Sequence, residues 1–112
     1  MIGIAASGNT PFTCRVLKKA KKQKSLTIAI SNNYNGKILR YADHKIILNT
    51  KEEVIAGSTR LKAGTAQKIC LNVISSMVMV KMGRVKNGMM NEMIPTNEKL
   101  RFRKKNLINF IN

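Results

Sequence analysis

The sequence predicts an α/β fold built on a parallel sheet, and three observations carry that prediction. Met1 to Ala6 (MIGIAA) is an apolar run without polar alternation, the pattern of a strand buried on both faces. A Ser-Gly-Asn-Thr loop and a helix opened by Pro11 follow it at once. Later, Gly57 to about Met82 holds the longest unbroken helical pattern in the chain. Strand, loop and helix in that order imply a three-layer αβα arrangement in which anion sites form at strand carboxyl ends.

In the first unit, residues 1–24, Thr10 is the expected N-cap of a helix reaching about Lys22. Phe12, Val16 and Ala20 trace its apolar face. Lys18 to Lys24 (KKAKKQK) puts cations at the helix carboxyl end, where the dipole favours them. In residues 25–56, Leu26 to Ser31 reads as a second buried strand and Asn32 to Gly36 (NNYNG) as a loop of turn formers. Lys45 to Leu48 reads as a further short strand. His44, the sole histidine, is expected to be exposed, with no acid or nucleophile beside it to suggest catalysis.

Residues 57–83 carry the densest chemistry, GSTRLKAGTAQK from Gly57 to Lys68. Ser58 and Thr59 are strong N-cap types, Arg60 adds a guanidinium, and Gly64 opens the backbone one turn in. Hydroxyls, free amides and a cation at a helix start suit a phosphate, and capping alone also accounts for the Ser-Thr pair. Ala66, Ile69, Cys70, Val73, Ile74, Met77 and Val80 form an apolar stripe expected to pack on the sheet, with Gly83 ending the helix. In residues 84–112, Thr96 is the expected cap of a last helix carrying Leu100, Leu107, Ile108 and Ile111. Arg101 to Lys105 (RFRKK) is its basic face.

Composition bounds the function. At 112 residues the chain allows one domain with a modest core, and 44% hydrophobic residues argue against disorder. Twenty-one basic against five acidic residues give a formal charge of +16, which raises a basic module for nucleic acid or an anionic surface as an alternative function. Fifteen Lys, twelve Asn and thirteen Ile fit the bias of an A/T-rich coding sequence, and no nucleic-acid fold motif is present. The reading is therefore no specific nucleic acid. Cys14 and Cys70 stand far apart without a C-x-x-C or nearby His, so no metal or cofactor is expected and a reduced, cytoplasmic protein is. Val73 to Val80, the most apolar run, is too short to span a bilayer, so no membrane is expected.

Glu53-Val54-Ile55, the Gly57–Lys68 run and Cys70-Leu71-Asn72 together closely resemble N-acetylmuramic acid 6-phosphate etherases, which are sugar isomerase-type (SIS) domains related to the glucokinase regulatory protein. GIAASG-TPF is similar to that family's second ligand loop, and Thr96 to Leu100 matches again. The resemblance implies a partial SIS domain that binds an amino-sugar 6-phosphate through Ser7, Gly8, Thr10, Glu53, Ser58, Thr59 and Arg60. Glu53 would either hydrogen-bond sugar hydroxyls or tie down the loop before the helix. The sequence departs from the family at Asn9, where Arg is usual, at Lys51-Glu52, where Gly-Pro is usual, and at Asn87-Gly88 and Glu92, where Gly-Asn and Asp are usual.

The family reaction eliminates lactate across an ether bond to leave N-acetylglucosamine 6-phosphate, a step of amino-sugar catabolism and peptidoglycan recycling. It needs one group to take the proton alpha to the aldehyde carbon and one to protonate the leaving oxygen. The family's first phosphate loop and catalytic glutamates lie upstream of the strand at Met1. The resemblance thus implies a truncated or split form with no catalytic residue of its own and little activity alone. A complementary N-terminal half or a homodimer partner, as in the family, is the implied protein partner.

Overall fold

The computed structural model describes residues 1–92 and 94–111, apart from the side chains of 107–111. They form two compact units, Met1–Cys70 and Leu71–Asn112. The first is a parallel sheet in the order β1-β2-β3, with β1 at Ile2–Ala5, β2 at Ile28–Ser31 and β3 at His44–Ile47. Ile2 pairs with Ile28 and Ile28 with His44, so the three strands run in step and end together. An α/β fold with a parallel sheet is therefore what this chain adopts.

Central β2 is the best-protected strand, since Ala29, Ile30 and Ser31 are buried and successive side chains face opposite sides. Helix α1, Pro11–Lys22, connects β1 to β2, and a 3₁₀ helix at Lys37–Tyr41 connects β2 to β3. Ala5, Leu17, Ala29, Ile38, Leu39 and Ala42 make one apolar cluster from these elements. Leu17 lies directly over Gly3, where an added Cβ would sit 3.0 Å from Leu17 Cδ1. The expected face of Phe12, Val16 and Ala20 needs correcting. Phe12 is 73% exposed and Val16 half-buried, while Leu17 and Ala20 supply the buried contacts. Thr10 occupies the N-cap position but makes no side-chain cap hydrogen bond, so Pro11 is what sets the helix start.

The amino ends of β2 and β3 are tied by a polar knot. The fully buried Thr27 donates its amide and hydroxyl to Asp43 Oδ2 at 3.0 and 2.7 Å. The Asp43 and His44 amides return to the Thr27 carbonyl, and Lys21 Nζ stands 3.3 Å from Asp43 Oδ1. His44 is exposed, as expected.

Helix α2, Lys62–Lys81, opens in the first unit and ends in the second. Its carboxyl end follows the expected glycine stop. Gly83 has a φ of +69°, its amide donates to Val80 O and the Arg84 amide to Met79 O, the paired bonds of a Schellman motif. The expectation of a core helix holds only at the amino end, where Ala63 is buried. Ile69, Val73, Met77 and Val80 are exposed, and so are Leu71, Val78 and Met79 on other sides. Apolar residues all round a helix exceed what one packed face can cover. By length and by a mean hydropathy of 1.2 over 18 residues, α2 also meets the composition of a membrane-crossing helix, which the eight-residue run Val73–Val80 understated. Core helices of soluble domains pass the same test.

In the second unit, β4 (Val85–Lys86) and β5 (Met89–Met90) form a hairpin. Asn87 and Gly88, at φ values of 51° and 75°, supply the two left-handed residues that a type I′ turn requires. Arg84 and Glu92 form an ion pair beside it. Helix α3, Glu98–Ile111, is capped by Asn97 and not by Thr96, because Asn97 Oδ1 accepts from the Leu100 amide at 2.9 Å. Arg101 to Lys105 are exposed, as a basic face should be. The side chains of Leu107, Ile108 and Ile111 lie outside the described residues.

Candidate functional site: a cleft at the carboxyl ends of the strands

Because β1, β2 and β3 are parallel and in step, the loops that follow them gather at one end of the sheet. A cleft of ≈ 320 Å³ opens there. Ser7 from the loop after β1, Asn32 from the end of β2, Thr50 to Glu53 from the segment after β3, and Thr59 from the turn before α2 all line it. This is where parallel α/β sheets place their ligands.

The loop after β1 is shaped by two glycines set back to back. Gly8 has a φ of +69°, and a Cβ there would stand 2.4 Å from Gly36 Cα, closer than any side chain tolerates. The Gly8 carbonyl accepts from the Ile38 amide at 2.9 Å and the Ser7 carbonyl from Asn33 Nδ2 at 3.1 Å. The β1 and β2 loops therefore hold each other. Ser7 Oγ accepts from the Asn9 amide at 3.2 Å and remains exposed, with its hydroxyl proton free to donate. Asn9 Oδ1 accepts from the Lys37 amide, so this residue braces the loop where the family resemblance led one to look for a cation.

The start of α2 differs from expectation. The helix begins at Lys62, and Ser58, Thr59 and Arg60 lie in the turns before it. The cap comes from Glu53, nine residues ahead of Lys62. Its Oε2 accepts from the Lys62 amide and its Oε1 from the Ala63 amide, each at 2.9 Å. Glu53 thus ties down the loop before the helix, the second of the two roles weighed for it. A carboxylate at this end also matches the helix dipole. What approaches Gly64 is the chain itself, as the Gly64 amide donates to Thr59 O at 2.8 Å.

Asn32 joins three elements beneath the cleft. Its Nδ2 donates to Leu48 O at 3.1 Å and to Thr50 Oγ1 at 3.2 Å, while its Oδ1 accepts from Gln67 Nε2 of α2 at 2.7 Å. Sequence reasoning missed Asn32, Thr50 and Gln67. The available signal was a polar residue directly after an apolar strand of a parallel sheet. Of the residues singled out from sequence, Ser7, Glu53 and Thr59 share the cleft. Gly8 shapes its wall from behind, and Thr10, Ser58 and Arg60 are not among the described residues that line it.

The Ala63 amide, and with it that of Lys62, holds the Glu53 carboxyl below its ordinary value of 4.5, against a smaller opposing effect of burial. Thr27 does the same for Asp43, below 3.8, with Lys21 assisting. Both groups bind a proton less readily folded than unfolded. Their contribution is therefore complete above about pH 4.5 and is lost as pH falls through the depressed folded values. The melting midpoint should fall on acidification from pH 5 to 3, and Glu53→Gln should flatten part of that fall while speeding hydrogen exchange at the Lys62 and Ala63 amides. An acid slope identical to wild type would remove Glu53 from the cap.

Comparison with known proteins agrees with this architecture. Residues 1–77 match the SIS domain family. The chain is 50% identical over 108 residues to an N-acetylmuramic acid 6-phosphate etherase of Francisella philomiragia, covering 96% of this chain and 37% of that protein. It is 49% identical over 111 residues to the etherase of Pseudothermotoga lettingae, covering 99% and 37%. For that of Halalkalibacterium halodurans it is 46% identical over 108 residues, covering 96% and 36%. The chain spans little more than a third of the length of these relatives. With its parallel sheet and its match over residues 1–77, the chain belongs to the SIS domain family and is similar within it to the N-acetylmuramic acid 6-phosphate etherases.

Proposed function

We propose that this chain binds an amino-sugar 6-phosphate in the strand-end cleft, as the ligand-holding part of an N-acetylmuramic acid 6-phosphate etherase. The observation that carries the reading is the convergence of the Ser7 loop and the Thr59 turn on one cleft at the ends of three parallel strands. Hydroxyls and backbone amides are the donors a phosphate ester takes, and the names of the relatives supply the sugar. Arg60 is exposed in the same turn as Thr59, and its assigned role is to meet the part of the ligand that lies outside the cleft. The setting is cytoplasmic amino-sugar catabolism in the service of cell-wall recycling. Glu53 and Gln67 tie the first turns of α2 to the α/β unit, so the reading requires no membrane.

Binding without cleavage is the expected chemistry of these residues. Asp43 is held by Thr27 and Lys21, Glu53 by two amides, and Glu92 by Arg84. Of the five acidic residues, that leaves Glu52 at the cleft and Glu98 in the first turn of α3. Among the described residues that line the cleft, Glu52 is the one carboxylate not held by backbone amides, and a single carboxylate does not make an acid–base pair.

Calorimetric titration with N-acetylmuramic acid 6-phosphate, N-acetylglucosamine 6-phosphate and the two unphosphorylated sugars tests the assignment. The phosphorylated sugars should bind at least tenfold more tightly, and Arg60→Ala should weaken them by a few fold. Equal affinity for all four would end the phosphate reading. Lactate release by the chain alone should be undetectable, and a robust rate would contradict binding without cleavage.

A further inference from the structure

We propose that Lys51 is the phosphate-contacting cation of this cleft, a role that rests on the sugar-phosphate reading above and extends it. Lys51 has a φ of +54°, in the left-handed region that disfavours any residue with a β-carbon. A residue kept in such a conformation beside a cleft is a candidate for function. Glycine is the residue for which that backbone is free of strain.

The charge around the cleft gives the strain a purpose. Among the described residues that line it, Lys51 is the one cation, and Glu52 and Glu53 are its two carboxylates. Glu53 is already committed to the Lys62 and Ala63 amides, so Glu52 is the carboxylate that Lys51 must offset before an anion can enter. Other cations are elsewhere or engaged. Arg60 does not line the cleft, and Asn9 braces Lys37 without carrying charge. The ion pairs among the described residues are Lys21–Asp43 and Arg84–Glu92, which leaves the Lys51 ammonium available. Lys51 also borders the adjoining hollow with Asn32 and Tyr34, so its flexible stem can follow a ligand across both. The one cation of the cleft lining thus stands on a strained backbone, where its charge is what an entering anion requires.

Three variants separate charge from strain. Lys51→Met keeps the β-carbon and removes the charge, Lys51→Arg keeps both, and Lys51→Gly removes both. Titration with N-acetylglucosamine 6-phosphate, N-acetylglucosamine and inorganic phosphate should show affinity for the phosphorylated sugar falling about tenfold in Lys51→Met and Lys51→Gly. Lys51→Arg should stay within about threefold of wild type, and the plain sugar should bind all four proteins alike. Lys51→Gly should also melt at a higher temperature than wild type, with Lys51→Met unchanged. Wild-type affinity for the phosphorylated sugar in Lys51→Met would overturn the contact. A lower melting point in Lys51→Gly would overturn the strain. Should wild type not distinguish phosphorylated from plain sugar, the sugar-phosphate reading itself falls and this role with it. Binding of inorganic phosphate alone, insensitive to Lys51→Met, would place a phosphate elsewhere and refute Lys51 as its contact.

Discussion

Gly8→Ala should destabilise the first unit by roughly 2–4 kcal/mol and remove ligand binding, because it adds left-handed strain to a backbone clash. Gly8 sits at φ +69°, and its Cβ would meet Gly36 Cα at 2.4 Å and Ser31 Oγ at 2.8 Å. A backbone atom cannot swing away as a side-chain tip can, so one of the two loops must move. Moving either breaks the bond from the Ile38 amide to Gly8 O and the bond from Asn33 to Ser7 O, which together present Ser7 to the cleft. Gly57→Ala is the control. Gly57 also has a positive φ, +77°, but nothing lies within 4 Å of its added Cβ, so only the conformational cost of about 1 kcal/mol should appear. Urea melts of the two variants test this directly. Equal losses would mean that the glycine contact contributes nothing.

The contrast between these glycines marks where sequence reasoning reaches and where it stops. The strand-loop-helix opening was legible because the signals are local: an apolar run, a Ser-Gly loop and Pro11. The Gly83 stop of α2 was legible for the same reason. The start of α2 was not. Ser58 and Thr59 have the chemistry of caps, yet Glu53 takes the amides from nine residues before Lys62, across a loop whose path no local rule encodes. The buried face of α1 was misread because Phe12 stood in register with Val16 and Ala20, while the sheet selects Leu17 through the gap left by Gly3. Asn87-Gly88 is a strong hairpin signal, overlooked because the flanking strands are two residues each. The candidate site was half legible. Motif resemblance pointed to Ser7, Glu53 and Thr59, whereas Asn32 joins them only because the strands end side by side, and Thr50 and Lys51 come with the segment that carries Glu53.

The Gly3–Leu17 contact allows the second large effect to be predicted with its own internal check. Leu17 is fully buried, within the cluster formed with Ala5, Ala29 and Ile38. Leu17→Ala should cost about 2–4 kcal/mol, from lost burial plus the cavity left over β1. In wild type, Gly3→Ala should be unfavourable, since its Cβ would meet Leu17 Cδ1 at 3.0 Å and Thr13 Cγ2 at 3.2 Å. With Leu17 truncated, the same methyl enters the vacated space. Gly3→Ala should therefore change sign in the Leu17→Ala background and restore about 0.5–1 kcal/mol, partly by filling the cavity and partly by lowering the entropy of the unfolded chain. The double-mutant cycle isolates the contact, because the unfolded-state gain is common to both backgrounds and cancels. A coupling near zero would show that α1 does not rest on β1 through this pair. The consequence for function is geometric. Residues 6–10 are the whole link between β1 and α1 and contain the Ser7 loop, so a helix that shifts on its strand moves that loop. Leu17→Ala should thus weaken sugar-phosphate binding from a position that touches no ligand, and Gly3→Ala should recover part of it.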